Sequence, residues 1–290
     1  MNVVVLLNPA HPDGELLDEA VPHFSALAQG IARGDGIFET ARYAGGRVRK
    51  LDEHLWRLHR SAGLTGLDIP DDDAWRRAIT TAIDAWQPTD SDDVVAGEAL
   101  VKLLVMRGYA PENVEGYAWI VVSPVPATLR PTAPVKVSLL ERGFSSTTAA
   151  QAPWLLLGAK TLSYATNMAA IREAQSRGAQ DVIFVTSDGL VLEGPTSTVV
   201  IKRGDELVTP PNELGVLPGT TQRVLFRAAQ RAGWRTSTAR LTPDDLRSAD
   251  AVWLTSSVRL LTQVQYVDDD EVALDDDAHA TLQQLFEDAS

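Results

Sequence analysis

The sequence has no cysteine among its 290 residues. This absence excludes disulfides, thiolate nucleophiles, and zinc or iron–sulfur centres held by cysteine. Histidine is also scarce, with five copies in the whole chain. The closest two, His54 and His59, do not share a helix face well, so they do not form a metal-binding pair. We therefore predict no metal site.

Positive charge and long apolar runs are lacking as well. There are 26 Lys and Arg residues against 39 Asp and Glu, for a net charge of −13. Such a chain repels phosphate backbones and anionic lipid, so we expect neither nucleic acid nor a membrane surface as a partner. No apolar run approaches the roughly 20 residues that cross a bilayer. The opening stretch MNVVVLLNPA has no basic start and no small-residue cleavage site, so we expect a first strand there and a cytoplasmic protein.

What the chain does contain is enough apolar material for a sizeable core: 44% of its residues are hydrophobic and 22% are charged. Its length exceeds the ~100–200 residues of a usual domain. The stretch SPVPATLRPTAP at 123–134 is dense in proline, which interrupts regular structure and favours a linker. We predict a smaller N-terminal α/β domain at 1–122, a linker at 123–134 and a larger C-terminal domain at 135–290.

Strand and helix patterns alternate in both halves, which predicts a mixed α/β fold. Helical periodicity is found in five segments, 52–63, 71–86, 164–178, 219–234 and 279–290. Strand-like segments are 36–51 (a hairpin), 99–108, 117–125, 135–144, 181–210 and 251–267.

Lys160 is the first candidate for chemistry. It follows an apolar run that is typical of the end of a strand, and no carboxylate lies within four residues on either side. A lysine at the edge of a core can have a lowered pKa and act as a nucleophile or base. The alternative is a lysine whose stem covers apolar surface while its charge stays in water, and local sequence alone favours that alternative. Glu193 also has two interpretations, pairing with a buried cation or exposure at a turn.

A candidate phosphate site follows in LGVLPGTTQRVLF. Thr220 and Thr221 stand directly before an amphipathic helix, where backbone N–H groups and hydroxyls bind phosphate. The alternative is an ordinary threonine-capped helix. A second hydroxyl-rich turn includes Ser257, and Arg57 offers either a bidentate phosphate contact or a surface ion pair. There is no Gly-x-Gly-x-x-Gly fingerprint, Walker loop or Gly-x-Ser-x-Gly elbow.

Seven stretches, taken in order, resemble the class IV pyridoxal-phosphate enzymes of fold type IV. This group includes branched-chain aminotransferases, D-amino acid aminotransferases and 4-amino-4-deoxychorismate lyases. The stretches are RGDGIFETAR (33–42), HLWRLHRSAG (54–63), VKLLVMRG (101–108), AKTLSYATNMAAIREA (159–174), DVIFVTSDGLVLEGPTSTVV (181–200), GVLPGTTQRV (215–224) and VWLTSSV (252–258).

The resemblance implies a cofactor and a role for each matching residue. Lys160 would bind pyridoxal 5′-phosphate as an imine and later carry protons, and Glu193 would pair with the protonated pyridine nitrogen. The residues implied for the phosphate are Arg57, Thr220, Thr221 and Ser257. The implied fold is a smaller α/β domain and a larger domain with a barrel-like sheet, with the cofactor between them, in a homodimer.

The same resemblance implies an activity. GDGIFETAR has the Phe-Glu-Thr form of the lyases, and VKLLVMRG lacks the Tyr-x-Arg pattern of the branched-chain enzymes. We therefore expect a 4-amino-4-deoxychorismate lyase of the folate pathway, which makes 4-aminobenzoate and pyruvate. The alternative is an aminotransferase acting on D-amino acids or branched-chain amino acids.

Substrate residues are harder to identify. The candidates are Arg107, Arg42, Ser163 and Tyr164. Many members of the group have asparagine where this chain has Ser163 and Thr198, which bears on substrate choice. A non-catalytic binding protein on this scaffold would be expected to lack Lys160 or Glu193, and both are present.

Overall fold

The structure is a computed structural model that describes residues 2–108 and 116–289. It divides into two units. The first unit contains Met1–Leu129 and Ala159–Tyr164, and the second contains Arg130–Gly158 and Ala165–Ser290. The division after Leu129 lies inside the expected linker, whereas Lys160 belongs to the first unit instead of the C-terminal part of the chain. The exact domain bounds stay a prediction.

The first unit is built on an antiparallel sheet of six strands. Its strands are β1 (Val3–Asn8), β2 (His11–Leu17), β3 (Gly36–Ala44), β4 (Arg47–Val48), β5 (Val94–Arg107) and β6 (Gly116–Pro126). Its helices are α1 (Gln29–Arg33), α2 (Leu51–Thr65) and α3 (Asp72–Ala85). The strands lie in the order β2-β1-β6-β5-β3-β4. Most of β3 pairs with β5 in continuous register, from Gly36 opposite Met106 to Tyr43 opposite Ala99.

The two faces of this sheet differ because successive side chains of a strand point to opposite sides. Ile37 and Ala41 of β3 and Leu103 of β5 are fully buried in the core that includes Leu55 of α2 and Trp75 of α3. The even-numbered residues of β3 and β5 lie on the other face. This alternation separates the side chains that support the helices from those that are available for a site.

The proline-rich stretch is partly regular. Pro124 and Pro126 belong to β6, opposite Ala99 and Val94 of β5, and the register of this pairing is irregular between those two partners. Proline is tolerated at strand ends and bulges because the missing N–H is not needed there. The expectation that proline excludes regular structure is therefore wrong for residues 123–126.

The second unit has a larger mixed sheet of eight strands. Its strands are β7 (Val135–Glu141), β8 (Asp181–Val185), β9 (Thr198–Arg203), β10 (Glu206–Thr209), β11 (Arg235–Thr238), β12 (Ala251–Ser256), β13 (Leu260–Val267) and β14 (Asp270–Glu271). Its helices are α4 (Thr148–Gln151), α5 (Ala165–Ser176), α6 (Thr220–Arg231), α7 (Pro243–Arg247) and α8 (Asp276–Ala289). The order is β11-β10-β9-β12-β13-β7-β8, and β14 pairs with β13. β7 is parallel to both β8 and β13.

Both faces of this sheet are buried. Val199 and Ile201 of β9 join one apolar cluster. Val200 between them joins another, with Leu225 of α6 and Leu282 of α8. The predicted mixed α/β fold class and the five predicted helices are confirmed. The strand-like run expected at 181–210 is wrong for residues 190–197, which contribute only an isolated bridge between Val185 and Val191. In the part of the chain that the structure describes, no helix is long and apolar enough to cross a membrane.

Candidate active site

The segment that carries Lys160 is fixed along β3. The Lys160 carbonyl accepts a hydrogen bond from the Phe38 N–H at 3.0 Å, and the Lys160 N–H donates to Ser61 Oγ at 3.1 Å. An isolated bridge joins Ile37 to Thr161. The apolar run before Lys160 is not a strand as expected, because Pro153–Leu155 forms a 3₁₀ turn. Lys160 is therefore positioned by contacts with β3 and α2.

The Lys160 amine is surrounded by aromatic groups. Nζ lies 4.4 Å from the centre of the Phe38 ring and 5.6 Å from that of Tyr164. It also lies 3.5 Å from the Tyr164 hydroxyl, and the Tyr164 ring meets Phe38 edge-on. Among the described residues, Lys160 forms no ion pair with a carboxylate. Among the described residues the amine is therefore not held in a fixed ion pair, as a lysine that forms an imine requires.

Arg57 belongs to a buried cluster with Glu39 and His54. Its Nε and Nη2 donate to the two carboxylate oxygens of Glu39 at 2.6 and 2.8 Å. His54 Nδ1 lies 2.7 Å from Glu39 Oε2. Glu39 lies on β3, whereas His54 and Arg57 lie one turn apart on α2. The ion pair of Arg57 is therefore buried and not at the surface; the phosphate contact of Arg57 stays a prediction.

Burial and pairing set the charges in this cluster. Burial alone raises the pKa of Glu39, but the Arg57 charge and the hydrogen bonds from Arg57 and His54 outweigh it and lower that pKa to about 2. Burial lowers the pKa of His54 to about 4, although Glu39 opposes this. At neutral pH His54 is therefore neutral and donates its Nδ1–H to an ionised Glu39, which leaves the cluster with no net charge.

Glu193 lies in the second unit and is partly buried. Its two carboxylate oxygens accept from the Leu217 N–H at 3.2 and 3.1 Å. A Cβ on Gly194 would lie 2.4 Å from Ser197 Oγ and 3.0 Å from the Val182 carbonyl oxygen, so glycine lets the backbone after Glu193 pass close to both. Glu193 is therefore anchored by backbone and is not an exposed turn residue.

Three hydroxyls meet where α6 begins. Thr220 Oγ1 and Thr221 Oγ1 lie 3.3 and 3.4 Å from Ser257 Oγ, and all three residues are buried. Gly219 is the residue before the helix, and no side chain caps it. The alternative of a threonine-capped helix is therefore excluded. Backbone N–H groups and hydroxyls at the start of a 12-residue helix are groups that can bind an anion, and the phosphate role of these residues stays a prediction.

The two arginines expected to bind substrate are engaged in other contacts. Arg42 is buried and forms a bidentate pair with Glu98, at 2.9 and 2.6 Å. Arg107 donates to Asp35 at 2.8 Å and to the Thr65 carbonyl at 2.8 Å. A role for either in binding substrate stays a prediction.

Ser163 and Tyr164 follow Lys160 in the same segment. The Ser163 hydroxyl donates to the Gly34 carbonyl at 3.1 Å and is thereby tied to the loop before β3. Tyr164 directs its hydroxyl to the Lys160 amine. Of the expected substrate residues, Tyr164 is the one that contacts Lys160.

Lys102 is a residue that the sequence patterns did not single out. It is partly buried on β5, directly opposite Thr40. It shares the even-numbered face with Phe38, whose ring contacts the Lys160 amine. Among the described residues its side chain has no hydrogen-bond or ion-pair partner. The sequence VKLLVMRG did contain a signal for Lys102. In a strand, alternation puts Lys102 and Arg107 on opposite faces of the sheet, so Arg107 and Lys102 are separate candidates for a cationic contact.

Comparison with known proteins decides the family. The family model for class IV amino-transferases matches residues 36–267. The chain belongs to the class IV aminotransferase family. This class IV enzyme is 40% identical over 265 residues to a bifunctional aminodeoxychorismate lyase / D-amino acid transaminase of Mycobacterium tuberculosis, covering 88% of this chain and 90% of that protein.

Solved structures agree with this assignment. A fold IV transaminase from Curtobacterium pusillum superposes with a TM-score of 0.90 at 37% identity, covering 99% of this chain and 98% of the other. A hypothetical aminotransferase from M. tuberculosis in a PLP-bound form gives 0.89 at 36% identity with the same coverage. The fold type IV architecture implied by the resemblance is confirmed.

The cofactor of this class IV enzyme is pyridoxal 5′-phosphate. The groups present fit it: an amine without a carboxylate partner at Lys160, an anchored carboxylate at Glu193, and a hydroxyl-lined helix start. The backbone at Gly219 approaches Thr198 so closely that a Cβ on Gly219 would lie 2.4 Å from Thr198 Oγ1. Among the described residues, no group of three His, Cys, Asp or Glu side chains is placed to hold a metal ion.

Proposed function

We propose that this class IV enzyme is a 4-amino-4-deoxychorismate lyase, which converts its substrate to 4-aminobenzoate and pyruvate. The observation that carries the proposal is the surroundings of the Lys160 amine. The rings of Phe38 and Tyr164, edge-on to one another, lie 4.4 and 5.6 Å from it, and this aromatic surface suits a substrate whose reacting amine is carried by a six-membered ring. The name of the 40% identical relative from M. tuberculosis supports the lyase.

The proposed chemistry assigns the proton transfers to this chain. Lys160 binds the cofactor covalently and, when displaced by the substrate amine, removes the proton from the carbon that bears that amine. When bound, pyridoxal 5′-phosphate supplies an electron-accepting ring. The bond to the pyruvate oxygen breaks as the substrate ring becomes aromatic. Lys160 then protonates the departing group, and Tyr164, at 3.5 Å from Nζ, is within reach to hold that proton.

The other candidate residues are proposed to bind the ring nitrogen and the phosphate of the cofactor. Glu193 is proposed to pair with the ring nitrogen, and the Leu217 N–H keeps the Glu193 side chain oriented. The proposed phosphate ligands are Thr220, Thr221, Ser257 and Arg57. Hydroxyls and N–H groups at a helix start bind phosphate through hydrogen bonds and the helix dipole, and Arg57 would add the one positive charge of this set.

A substrate that carries carboxylates needs cationic partners. Arg42 and Arg107 already pair with Glu98 and Asp35. Lys102 lies on the same sheet face as Phe38 and has no such partner among the described residues. We therefore propose Lys102 as a carboxylate contact, and expect Lys102→Met to raise KM more than it lowers kcat.

Transamination of D-amino acids is the second candidate. It is favoured by the bifunctional name of the M. tuberculosis relative and by a D-alanine aminotransferase of Bacillus licheniformis, 27% identical over 257 residues. A lyase and a transaminase need the same lysine and the same cofactor. For branched-chain substrates the corresponding support is a putative branched-chain-amino-acid aminotransferase of Methanocaldococcus jannaschii, 26% identical over 260 residues.

The proposed assembly is a homodimer. Apolar side chains exposed on the described surface support it, among them Trp154 at 74% exposed and Leu155 at 49%. Light scattering coupled to size exclusion would give twice the chain mass of 31.4 kDa. A monomer at micromolar concentration would contradict the dimer. The folate pathway and a cytoplasmic location stay predictions.

Two assays on the purified holoenzyme test the function. The first supplies aminodeoxychorismate and follows 4-aminobenzoate and pyruvate. The second supplies D-alanine with 2-oxoglutarate and follows D-glutamate. Formation of 4-aminobenzoate that depends on Lys160 supports the lyase, and turnover in the second assay alone would replace it with the transaminase.

A further inference from the structure

Glu39 is a fully buried carboxylate at the centre of three short contacts. It accepts from Arg57 Nε at 2.6 Å, from Arg57 Nη2 at 2.8 Å and from His54 Nδ1 at 2.7 Å. The two bonds from Arg57 use one edge of its planar guanidinium. A bidentate pair of this kind fixes the orientation of that plane as well as its position.

The location of Glu39 makes it unusual. It lies on the core face of β3 between Ile37 and Ala41 and opposite Leu103, all of them fully buried. Apolar residues in place of the whole Glu39–Arg57 pair would suit this buried position, because replacing both partners of a buried ion pair by well-packed apolar groups is often neutral or stabilising. Stability alone therefore does not account for a carboxylate here.

We propose that Glu39 is a positioning residue that holds the Arg57 guanidinium in the orientation in which it binds the cofactor phosphate. This inference rests on the proposed phosphate role of Arg57. His54 completes the arrangement by donating to the second oxygen of Glu39 without adding charge. Glu39 itself does not contact the cofactor; it acts through Arg57.

Comparing two ligands isolates this role. The full chain is stripped of cofactor and titrated with pyridoxal 5′-phosphate and with pyridoxal, which lacks the phosphate, using tryptophan fluorescence. Glu39→Gln keeps the size of the side chain but replaces one acceptor oxygen with a donor NH₂. We expect about tenfold weaker binding of pyridoxal 5′-phosphate, the equivalent of one hydrogen bond to a charged group, and an unchanged affinity for pyridoxal.

Controls separate positioning from folding. Glu98→Gln alters the other buried arginine pair of the first unit and should leave the ratio of the two affinities unchanged. If Glu39→Gln does not fold, Glu39→Asp carries the test, since it keeps the charge but is too short for both bonds. In an Arg57→Lys background, Glu39→Gln should produce no further loss.

The outcomes are distinct. A phosphate-specific loss that disappears in the Arg57→Lys background supports the inference. Equal weakening of both ligands, no change, or tighter binding of pyridoxal 5′-phosphate would overturn it. If Arg57→Lys alone has no effect, the phosphate role of Arg57 fails together with this inference. A chain that binds neither ligand would contradict the proposed function itself.

Discussion

Gly219, the residue before α6, offers a direct test of how tightly the proposed phosphate end of the site is packed. Its φ of −66° is available to any residue, so alanine is not excluded by backbone conformation. The obstacle is space. A Cβ at this position would lie 2.4 Å from Thr198 Oγ1, and 3.3 Å from Thr198 Cβ and Gln222 Cβ.

The expected cost of Gly219→Ala follows from these distances. A contact of 2.4 Å requires Thr198 or the start of α6 to move. Overpacking of a buried position typically costs about 1–3 kcal/mol. Thr198→Ala removes Oγ1, and the closest remaining distances of 3.3 Å need a shift of only a few tenths of an ångström. In that background we expect Gly219→Ala to cost less than about 1 kcal/mol.

The assay is urea unfolding of the four proteins in this double-mutant cycle, with cofactor affinity measured in parallel. Gly63→Ala is the matched control, because Gly63 lies inside α2 and a Cβ added there would have no neighbour within 4 Å. That control should gain about 0.5–1 kcal/mol. The same cost of Gly219→Ala with and without the Thr198 hydroxyl would refute the steric account.

Three further predictions concern the site residues. Lys160→Ala should abolish lyase and transaminase turnover and leave the circular dichroism spectrum unchanged; near-normal turnover would refute the assignment. Glu193→Gln should lower kcat about 10²–10⁴-fold if Glu193 keeps the cofactor ring protonated, and unchanged kcat would contradict that role. The third is acid sensitivity: the pKa of His54 is lowered from 6.5 to about 4 and that of Glu39 from 4.5 to about 2. Because both pKa values are lower in the folded protein, these two groups stabilise the fold at neutral pH. Their contribution to the free energy of unfolding is lost as the pH falls, that of His54 between pH 6.5 and 4 and that of Glu39 between pH 4.5 and 2. Urea unfolding of His54→Asn should show a smaller loss of unfolding free energy between pH 6.5 and 4 than the unsubstituted protein. The same dependence on pH in both proteins would show that His54 does not titrate as the structure implies.

Local patterns in the sequence predicted those features that depend on neighbours along the chain. The apolar periodicity of α2 and α6 predicted both helices, and the hydroxyl-rich stretch before α6 predicted a group of donors at its start. In each case the signal and the structure lie within a few residues of one another, so the sequence contains what is needed.

Partners that are distant in sequence were not predictable in this way. Arg42 and Glu98 are 56 residues apart, and Glu39 and Arg57 are 18 apart on different elements. The residues next to an arginine in the sequence do not show whether a carboxylate from another strand will form an ion pair with it. Arg42 was therefore expected to bind substrate although it forms a buried internal pair.

The segment around Lys160 shows where prediction from the sequence failed, both for its local structure and for its distant contacts. The apolar residues before it suggested a strand end, but they form a 3₁₀ turn with Leu155 half-exposed, because an apolar run alone does not distinguish these structures. The contacts that isolate its amine come from Phe38 and Tyr164, and the first of these lies on a distant strand. Family resemblance identified the residue, and the fold explains its surroundings.

Reduction of the holoenzyme with borohydride, followed by peptide mapping, tests the central claim most directly. The claim is that Lys160 is the residue that binds pyridoxal 5′-phosphate covalently. It predicts one phosphopyridoxyl group per chain, located on Lys160, and none on Lys102 of the same unit. A stable adduct on another lysine, or a chain that takes up the cofactor without any trapped adduct, would contradict it.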